Sequence, residues 1–164
     1  MKNIIQLFFL LCVGISYSQT RTAHINYSKL VLLMPETKKA DTTLTLLTKN
    51  YQSELTRMES EYKIKSEKFK EEEPNMPSVT KELRLKELKD AETTYAKFQE
   101  VAKKDVSDKD KVIFKLIFEK AEKAVKDVAI EKGYSYVIDS SKGGYIFLDS
   151  KEDIFEAVKQ KLGL

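Results

Sequence analysis

Few side chains in this sequence have the chemistry that catalysis or metal binding needs. His24 is the single histidine and Cys12 the single cysteine. A transition-metal site would therefore depend on His24 and carboxylates alone, so we expect His24 to be a half-exposed strand residue. No serine lies in a G-x-S-x-G turn, and one histidine leaves little room for a histidine-assisted nucleophile. These residues predict no catalytic site and no metal site.

Carboxylates and glycines occur in patterns that suggest structural roles. The run Glu71–Glu73 lies in a helical stretch without an apolar pocket that would shift its pKa values, so it indicates a solvated helix face. The stretch Lys142–Gly144 lacks the surrounding pattern of a phosphate-binding loop and is typical of a turn. We therefore expect no enzyme activity and no cofactor. A binding or structural protein is the remaining class.

The first eighteen residues, "MKNIIQLFFLLCVGISYS", predict a secretory signal peptide. Lys2 is followed by an apolar run, and Ser16 and Ser18 occupy the small-residue positions before a cleavage site at Gln19. The run is shorter than the ~20 residues that span a bilayer, and no later stretch is apolar enough. Cys12 lacks the small residues that would precede a lipidated cysteine, so we expect removal with the signal peptide. The sequence thus predicts export and no transmembrane segment in the mature chain.

Charged residues make up 34% of the chain, with 29 basic and 26 acidic residues. They alternate in sign, as in "KIKSEKFKEEE" and "KKDVSDKDK", and form no long block of one sign. This pattern favours solvated helix faces over a nucleic-acid-binding stripe. We therefore expect no nucleic-acid partner.

The elements that must position any site are dominated by helices. From about Glu36 to Glu73, apolar residues recur at alternating spacings of three and four, which predicts a helix with one apolar seam. The seam positions are Leu44, Leu47, Tyr51, Leu55, Met58 and Tyr62. Pro74 and Pro77 then break the helix, and a second helical pattern continues to Lys132, before Gly133. A long antiparallel helical hairpin is the prediction.

The ends of the chain predict a small β-body. Residues 23–27 and 134–139 are strand-like, and Tyr145–Leu148 is expected to pair with 134–139 as a β-hairpin across Gly143-Gly144. Ser28 is expected to cap a short helix, and Ser150–Asp153 resembles a capping box before a last helix. Because the second helical arm is longer than the first, it returns to the first strand. Such a thin sheet has open edges, which predicts completion by oligomerisation.

The predicted fold class is therefore α+β, with a long helical hairpin projecting from a small β-body that is completed by oligomerisation. The expected organisation is a signal peptide at 1–18, the first strand and short helix at 19–35, the hairpin arm at 36–132 with its tip near 74–77, and a β-hairpin with a C-terminal helix at 133–164.

The order of these parts resembles the Skp/OmpH family of periplasmic chaperones. The resemblance spans the mature chain and is most specific in the block "KGYSYVIDSSKGGYIFLDSKEDIFEAVKQKL". Positions that fall in the family's order are Tyr134, Val137, Asp139, the Gly143-Gly144 turn, Asp149 and Ile154. The N-terminal block departs from the family, since Asn26-Tyr27 stands where Val-Asp is frequent.

The resemblance implies a periplasmic homotrimer that binds unfolded outer-membrane β-barrel proteins between its helical arms, without ATP. Family arms are often basic, whereas residues 81–111 here contain nine basic and eight acidic residues. We therefore expect client contacts to be mainly apolar, with Met76 as the most exposed candidate. The client-binding candidates are Ile64, Phe69, Met76, Leu83 and Leu85. Each of these could equally hold the two arms together.

For the oligomeric body, the candidate residues are Ile25, Tyr134, Tyr136, Ile138, Ile146 and Leu148. An alternative function is an envelope-associated oligomeric coiled-coil scaffold without unfolded clients. A scaffold prefers one folded partner, whereas a chaperone accepts many unfolded chains, and composition does not separate the two.

Overall fold

The structure, a computed structural model, describes residues 20–164. The predicted signal peptide lies outside this range. In chain order the elements are strand β1 (Thr22–Ile25), helix α1 (Tyr27–Leu33), helix α2 (Pro35–Glu72), helix α3 (Ser78–Glu131), strand β2 (Tyr136–Asp139) and helix α4 (Phe155–Lys161). They belong to two compact units. We call residues 31–120 the hairpin unit, and the described residues up to Leu30 together with Ala121–Leu164 the body unit.

The hairpin unit consists of α2 and most of α3, packed along one seam. All six predicted seam positions on α2 are buried or half-buried, and the seam continues through Ser66 to Phe69. Across the seam, the Tyr51 ring meets the edge of Phe98 at a centroid distance of 5.8 Å, and the Tyr51 hydroxyl donates to Asp105 at 2.8 Å. The helical hairpin expected from the sequence is confirmed.

The tip of the hairpin is a short 3₁₀ turn, Glu73–Asn75. The Met76 backbone N–H donates to the Glu73 carbonyl at 3.2 Å, and the Lys81 ammonium lies 2.6 Å from the Glu73 carboxylate. These contacts hold the first turn of α3, which begins at Ser78, against the end of α2.

The seam of α3 leaves some of its leucines outside. Leu83 and Leu116 are exposed, and Ile117 is buried beside Leu116. The reason is that a helix with one apolar partner buries only one narrow stripe. Leucines outside that stripe remain in solvent.

The body unit is organised around β1. On one edge β1 pairs in parallel with β2, with Ala23 opposite Val137. On its other edge His24 forms a parallel bridge with Asp153, and the Ile154 N–H donates to the His24 carbonyl at 3.0 Å. The buried apolar residues around this strand include Ala23, Ile25, Leu30, Ala124, Val128, Ile154, Phe155 and Val158.

The predicted β-hairpin is wrong: Tyr145–Leu148 does not form a strand in the described chain, and β2 pairs only with β1. The cause lies at the end of β2. The Asp139 carboxylate accepts from the Ser141 backbone N–H at 2.9 Å and stabilises a 3₁₀ turn at Ser140–Lys142. This turn replaces the direct reversal that a hairpin needs, and the chain instead returns to β1 at Asp153.

Two predicted helix caps are also wrong. For α1, the Asn26 side chain accepts from the Lys29 N–H at 2.9 Å, so Asn26 caps the helix in place of Ser28. The stretch Ser150–Glu152 forms a 3₁₀ turn, and α4 begins only at Phe155. Two short carboxylate side chains explain the later start of α4, because Asp149 and Asp153 each accept the backbone N–H of the residue two positions further on.

The seam predicts a sharp difference between two leucines of α2. Leu55 is 8% exposed and Leu46 is 58% exposed. We expect Leu55→Ala to lower the free energy of unfolding by about 2–3 kcal/mol, because it leaves a cavity in the seam. Leu46→Ala should change it by no more than about 0.5 kcal/mol. Urea unfolding followed by circular dichroism measures both, and equal losses would contradict a single seam.

Candidate functional site

The surface of the hairpin unit carries apolar side chains outside the seam. Of the five client-binding candidates, Ile64, Leu83 and Leu85 are exposed, Ile64 at 65%. Further exposed apolar positions on the same unit were not among the candidates: Leu32, Leu33, Leu46, Val79, Val101, Val112 and Phe118. These residues fall between the seam positions of the sequence pattern, and this placement could have identified them as exposed. Together they form a dispersed apolar surface.

The other two candidates are less exposed. Phe69 is 8% exposed and belongs to the seam. Met76 is half-buried, whereas Ile64 is 65% exposed, so the expectation that Met76 is the most exposed candidate is wrong. The reason is the 3₁₀ turn Glu73–Asn75, which ends directly before Met76 and keeps this residue close to the end of α2. Both side chains line a cavity of about 190 Å³ whose apolar part is completed by Leu88.

Charged side chains surround this tip cavity. They are Lys65, Lys68, Glu72, Arg84 and Glu87. The Lys68 ammonium lies 3.8 Å from the Glu72 carboxylate, and the Arg84 guanidinium lies 2.8 Å from Glu87. The hydrogen bond from Arg84 to Glu87 is the main cause that raises the pKa of Arg84. Because these ion pairs are exposed, each contributes little to stability, and the charges remain free to rearrange around a ligand.

In the body unit, the oligomer candidates also divide by exposure. Ile25 is buried in the core of its own chain, so it is not available to another chain. Tyr134, Ile138 and Leu148 are half-buried. Tyr136 and Ile146 are exposed, and Phe147, which was not among the candidates, is 80% exposed.

Three exposed side chains form one apolar segment. Tyr145, Ile146 and Phe147 are consecutive, lie in the segment without regular structure, and all expose large apolar groups. An exposed apolar patch of this kind marks an interaction surface. We call this segment, residues 145–147, the apolar loop.

A groove of about 430 Å³ in the body unit is lined in part by Tyr27, Glu122, Tyr136 and Asp139. Burial raises the pKa of Tyr27 to about 12, with the nearby carboxylates of Glu122 and Asp139 acting in the same direction. A carboxylate disfavours a second negative charge beside it, so the phenol stays neutral in the folded state.

His24 is buried in β1, so the expectation of a half-exposed strand residue is wrong. Its Nε2 lies 2.9 Å from the Asp149 carbonyl oxygen, which can only accept a hydrogen bond, so Nε2 carries the proton. Its Nδ1 is buried and has no hydrogen-bond partner among residues 20–164. Between residues 20 and 164, no group of three or more His, Cys, Asp or Glu side chains is arranged to hold a metal ion. His24 thus joins β1 to the segment before α4.

None of the helices in the described range combines the length and apolar character that a membrane crossing requires.

Three features define a class of α+β hairpin proteins. They are a helical hairpin with one seam, a body built on a parallel strand pair, and exposed apolar side chains on the hairpin and on the body. The family model for OmpH-like outer membrane proteins matches residues 21–162, and the chain belongs to this family. The resemblance drawn from the sequence is thereby confirmed.

Comparison with solved structures agrees with this assignment. A protein from Caulobacter crescentus CB15, described as an OmpH-like outer membrane chaperone, has a similar crystal structure with a TM-score of 0.76. The two chains are 13% identical, and the match covers 86% of this chain and 82% of the other. At this identity the likeness concerns the fold. No curated protein gives a significant match.

The environment of Tyr27 gives a pH-dependence with a definite sign. The folded state holds the phenol proton more tightly than the unfolded chain, whose tyrosine pKa is about 10. The contribution of the raised Tyr27 pKa to the free energy of unfolding is fully present below about pH 10. It is lost as the pH rises towards about 12. Tyr27→Phe should therefore lose less stability than the wild type over this range. Urea midpoints measured at several pH values test this, and parallel losses in the two proteins would contradict it.

Proposed function

We propose that this protein is an ATP-independent holdase chaperone of the periplasm that binds unfolded outer-membrane β-barrel proteins. The observation that carries the proposal is the dispersed apolar surface of the hairpin unit. A folded partner is recognised by one compact complementary patch, whereas an unfolded chain makes many small apolar contacts in variable positions. Membership of the OmpH-like family supports the proposal, as does the chaperone description of the Caulobacter protein.

Self-association is part of this proposal. The apolar loop and Tyr136 expose large side chains that a single chain leaves uncovered. A homotrimer would cover them at the body and place three hairpins around one client. Several weak sites on one body act at a high effective concentration, so no single contact must be strong. Weak individual contacts also permit release without an energy source.

The tip of the hairpin is a second place for client contacts. Ile64, Leu83 and Leu85 are exposed on the unit that also contains the tip cavity with Met76. Methionine is unbranched and adapts to irregular apolar partners. The cavity can therefore accept an apolar side chain, while the exposed residues around it make less specific contacts.

The holdase activity is tested by light scattering. A urea-unfolded outer-membrane β-barrel protein is diluted into buffer with and without the chain, in the absence of nucleotide. We expect aggregation to be suppressed near one oligomer per client, and the client to insert into lipid afterwards. Unchanged aggregation across several barrel proteins would favour the scaffold function.

The apolar surface is tested by a triple variant, Ile64→Ser, Leu83→Ser and Leu85→Ser. Because it removes three exposed apolar groups, we expect the concentration for half-suppression to rise on the order of tenfold. The matched control changes three exposed polar neighbours, Lys63→Ser, Glu82→Ser and Lys86→Ser. An equal effect of both triple variants would contradict the proposal that the apolar groups contact the client.

The proposed trimer is tested by sedimentation equilibrium. We expect the wild-type protein to have three times the mass of its chain, and the double variant Ile146→Ser, Phe147→Ser to dissociate at micromolar concentration. Both side chains are exposed in the single chain, so the variant removes apolar contacts between chains without opening the body core. A monomeric wild type, or a variant that stays trimeric, would exclude the apolar loop as the interface.

A further inference from the structure

A second cavity on the hairpin unit has a chemistry unlike that of the tip. It measures about 250 Å³ and is lined by Glu59, Tyr62, Ala91, Glu92 and Tyr95. We call these five residues the tyrosine–glutamate notch. It lies entirely on α2 and α3 and shares no residue with the tip cavity. It borders the seam at Tyr62 and at the half-buried Ala91 and Tyr95.

The notch exists because of a small residue at a seam position. Ala91 is half-buried between the arms, where its methyl group fills less space than the aromatic rings beside it. The Tyr62 hydroxyl donates across the seam to the Glu92 carboxylate. This hydrogen bond raises the pKa of Tyr62 and fixes its ring at the wall of the notch. Tyr95, also half-buried, supplies the second ring.

The charge of the notch has one sign. Two of its five residues are carboxylates and none is basic. Glu92 is engaged by Tyr62, whereas Glu59 makes neither an ion pair nor a side-chain hydrogen bond with any residue in 20–164. A carboxylate that shares a cavity with two tyrosine rings attracts a cation, because both the negative charge and the ring quadrupoles favour it.

We infer that the tyrosine–glutamate notch binds the guanidinium group of an arginine side chain in an unfolded client. Guanidinium suits this site better than ammonium, since it is planar, stacks on aromatic rings and donates two parallel hydrogen bonds to one carboxylate. The inference rests on the proposed function for the identity of the partner. The cation site itself depends only on the five residues of the notch.

The notch differs from the tip cavity, where three basic side chains face two acidic ones, Glu72 and Glu87. One hairpin thus presents an acidic aromatic site and an apolar site with charges of both signs to the same client. Such local recognition is consistent with nearly balanced charge along the arms, where residues 81–111 contain nine basic and eight acidic residues. Clients with interspersed charges of both signs fit this arrangement.

The test is a titration of the full-length protein, ring-labelled at tyrosine, with N-acetyl-arginine methylamide, followed by nuclear magnetic resonance. The signals of Tyr62 and Tyr95 are assigned with the variants Tyr62→Phe and Tyr95→Phe. We expect both signals to shift with the arginine probe and to shift little with the neutral isostere N-acetyl-citrulline methylamide. Equal shifts with both probes, or shifts at other tyrosines only, would overturn the inference.

Glu59→Gln is the decisive variant, because it removes the free charge and keeps the shape of the side chain. We expect it to weaken binding of the arginine probe about threefold, the size of one exposed charge contact. The matched control is Glu71→Gln, another exposed glutamate of α2 that makes no ion pair in the described range. Both variants should keep the wild-type circular dichroism. Equal affinities in Glu59→Gln and the wild type would overturn the role of Glu59.

The outcome is distinguishable from failure of the proposed function. If the wild type suppresses client aggregation but binds no arginine probe, the inference fails and the holdase proposal stands. If it binds the probe at the notch but suppresses no aggregation, the holdase proposal fails and the cation site stands. With both results positive, a client peptide whose arginines are replaced by citrulline should bind more weakly than its parent.

Discussion

The hairpin unit depends on one apolar seam between two helices. A helix packed against a single partner buries only a narrow stripe, so about two thirds of its surface must remain in solvent. Apolar residues outside the stripe gain less burial from folding, yet this unit keeps many of them, from Leu46 to Val112. Packing within the hairpin therefore accounts for the seam residues and not for these exposed side chains. Contact with unfolded clients is the role that the proposed function assigns to them.

The body unit obeys a different constraint, because β1 is only four residues long and uses both of its edges. β2 occupies one edge and the Asp153–Ile154 segment occupies the other. The chain between them forms no strand, and the outer edge of β2 stays unpaired within residues 20–164. The apolar loop lies in solvent, with Ile146 fully exposed. In this two-stranded sheet, an open edge and an uncovered apolar loop are both available for the proposed assembly.

The sequence predicted long-range regularities and failed at local ones. Many residues at regular spacing specify a seam that repeats over several helical turns. The seam positions from Leu44 to Tyr62 could therefore be identified without knowledge of α3. The end of β2 is specified by one side chain, since Asp139 can cap a turn or simply end a strand, and strand propensity in Tyr145–Leu148 favoured the wrong alternative. The same limit applies to the candidate site. Phe69 and Met76 were identified as apolar, but the 3₁₀ turn that moves Met76 inward depends on the geometry of the tip.

Balanced charge determines how such a hairpin can recognise a partner. Oppositely charged neighbours cancel beyond about 8–10 Å at physiological ionic strength, so the arms exert little long-range attraction. Electrostatic selection must then act at contact distance, where individual groups count. The cation site inferred at the tyrosine–glutamate notch, which Glu59 and Tyr95 line, would provide such selection, whereas a uniformly basic arm would not. Association should accordingly be slower and less salt-dependent than for a basic arm, with discrimination expressed mainly in the dissociation rate.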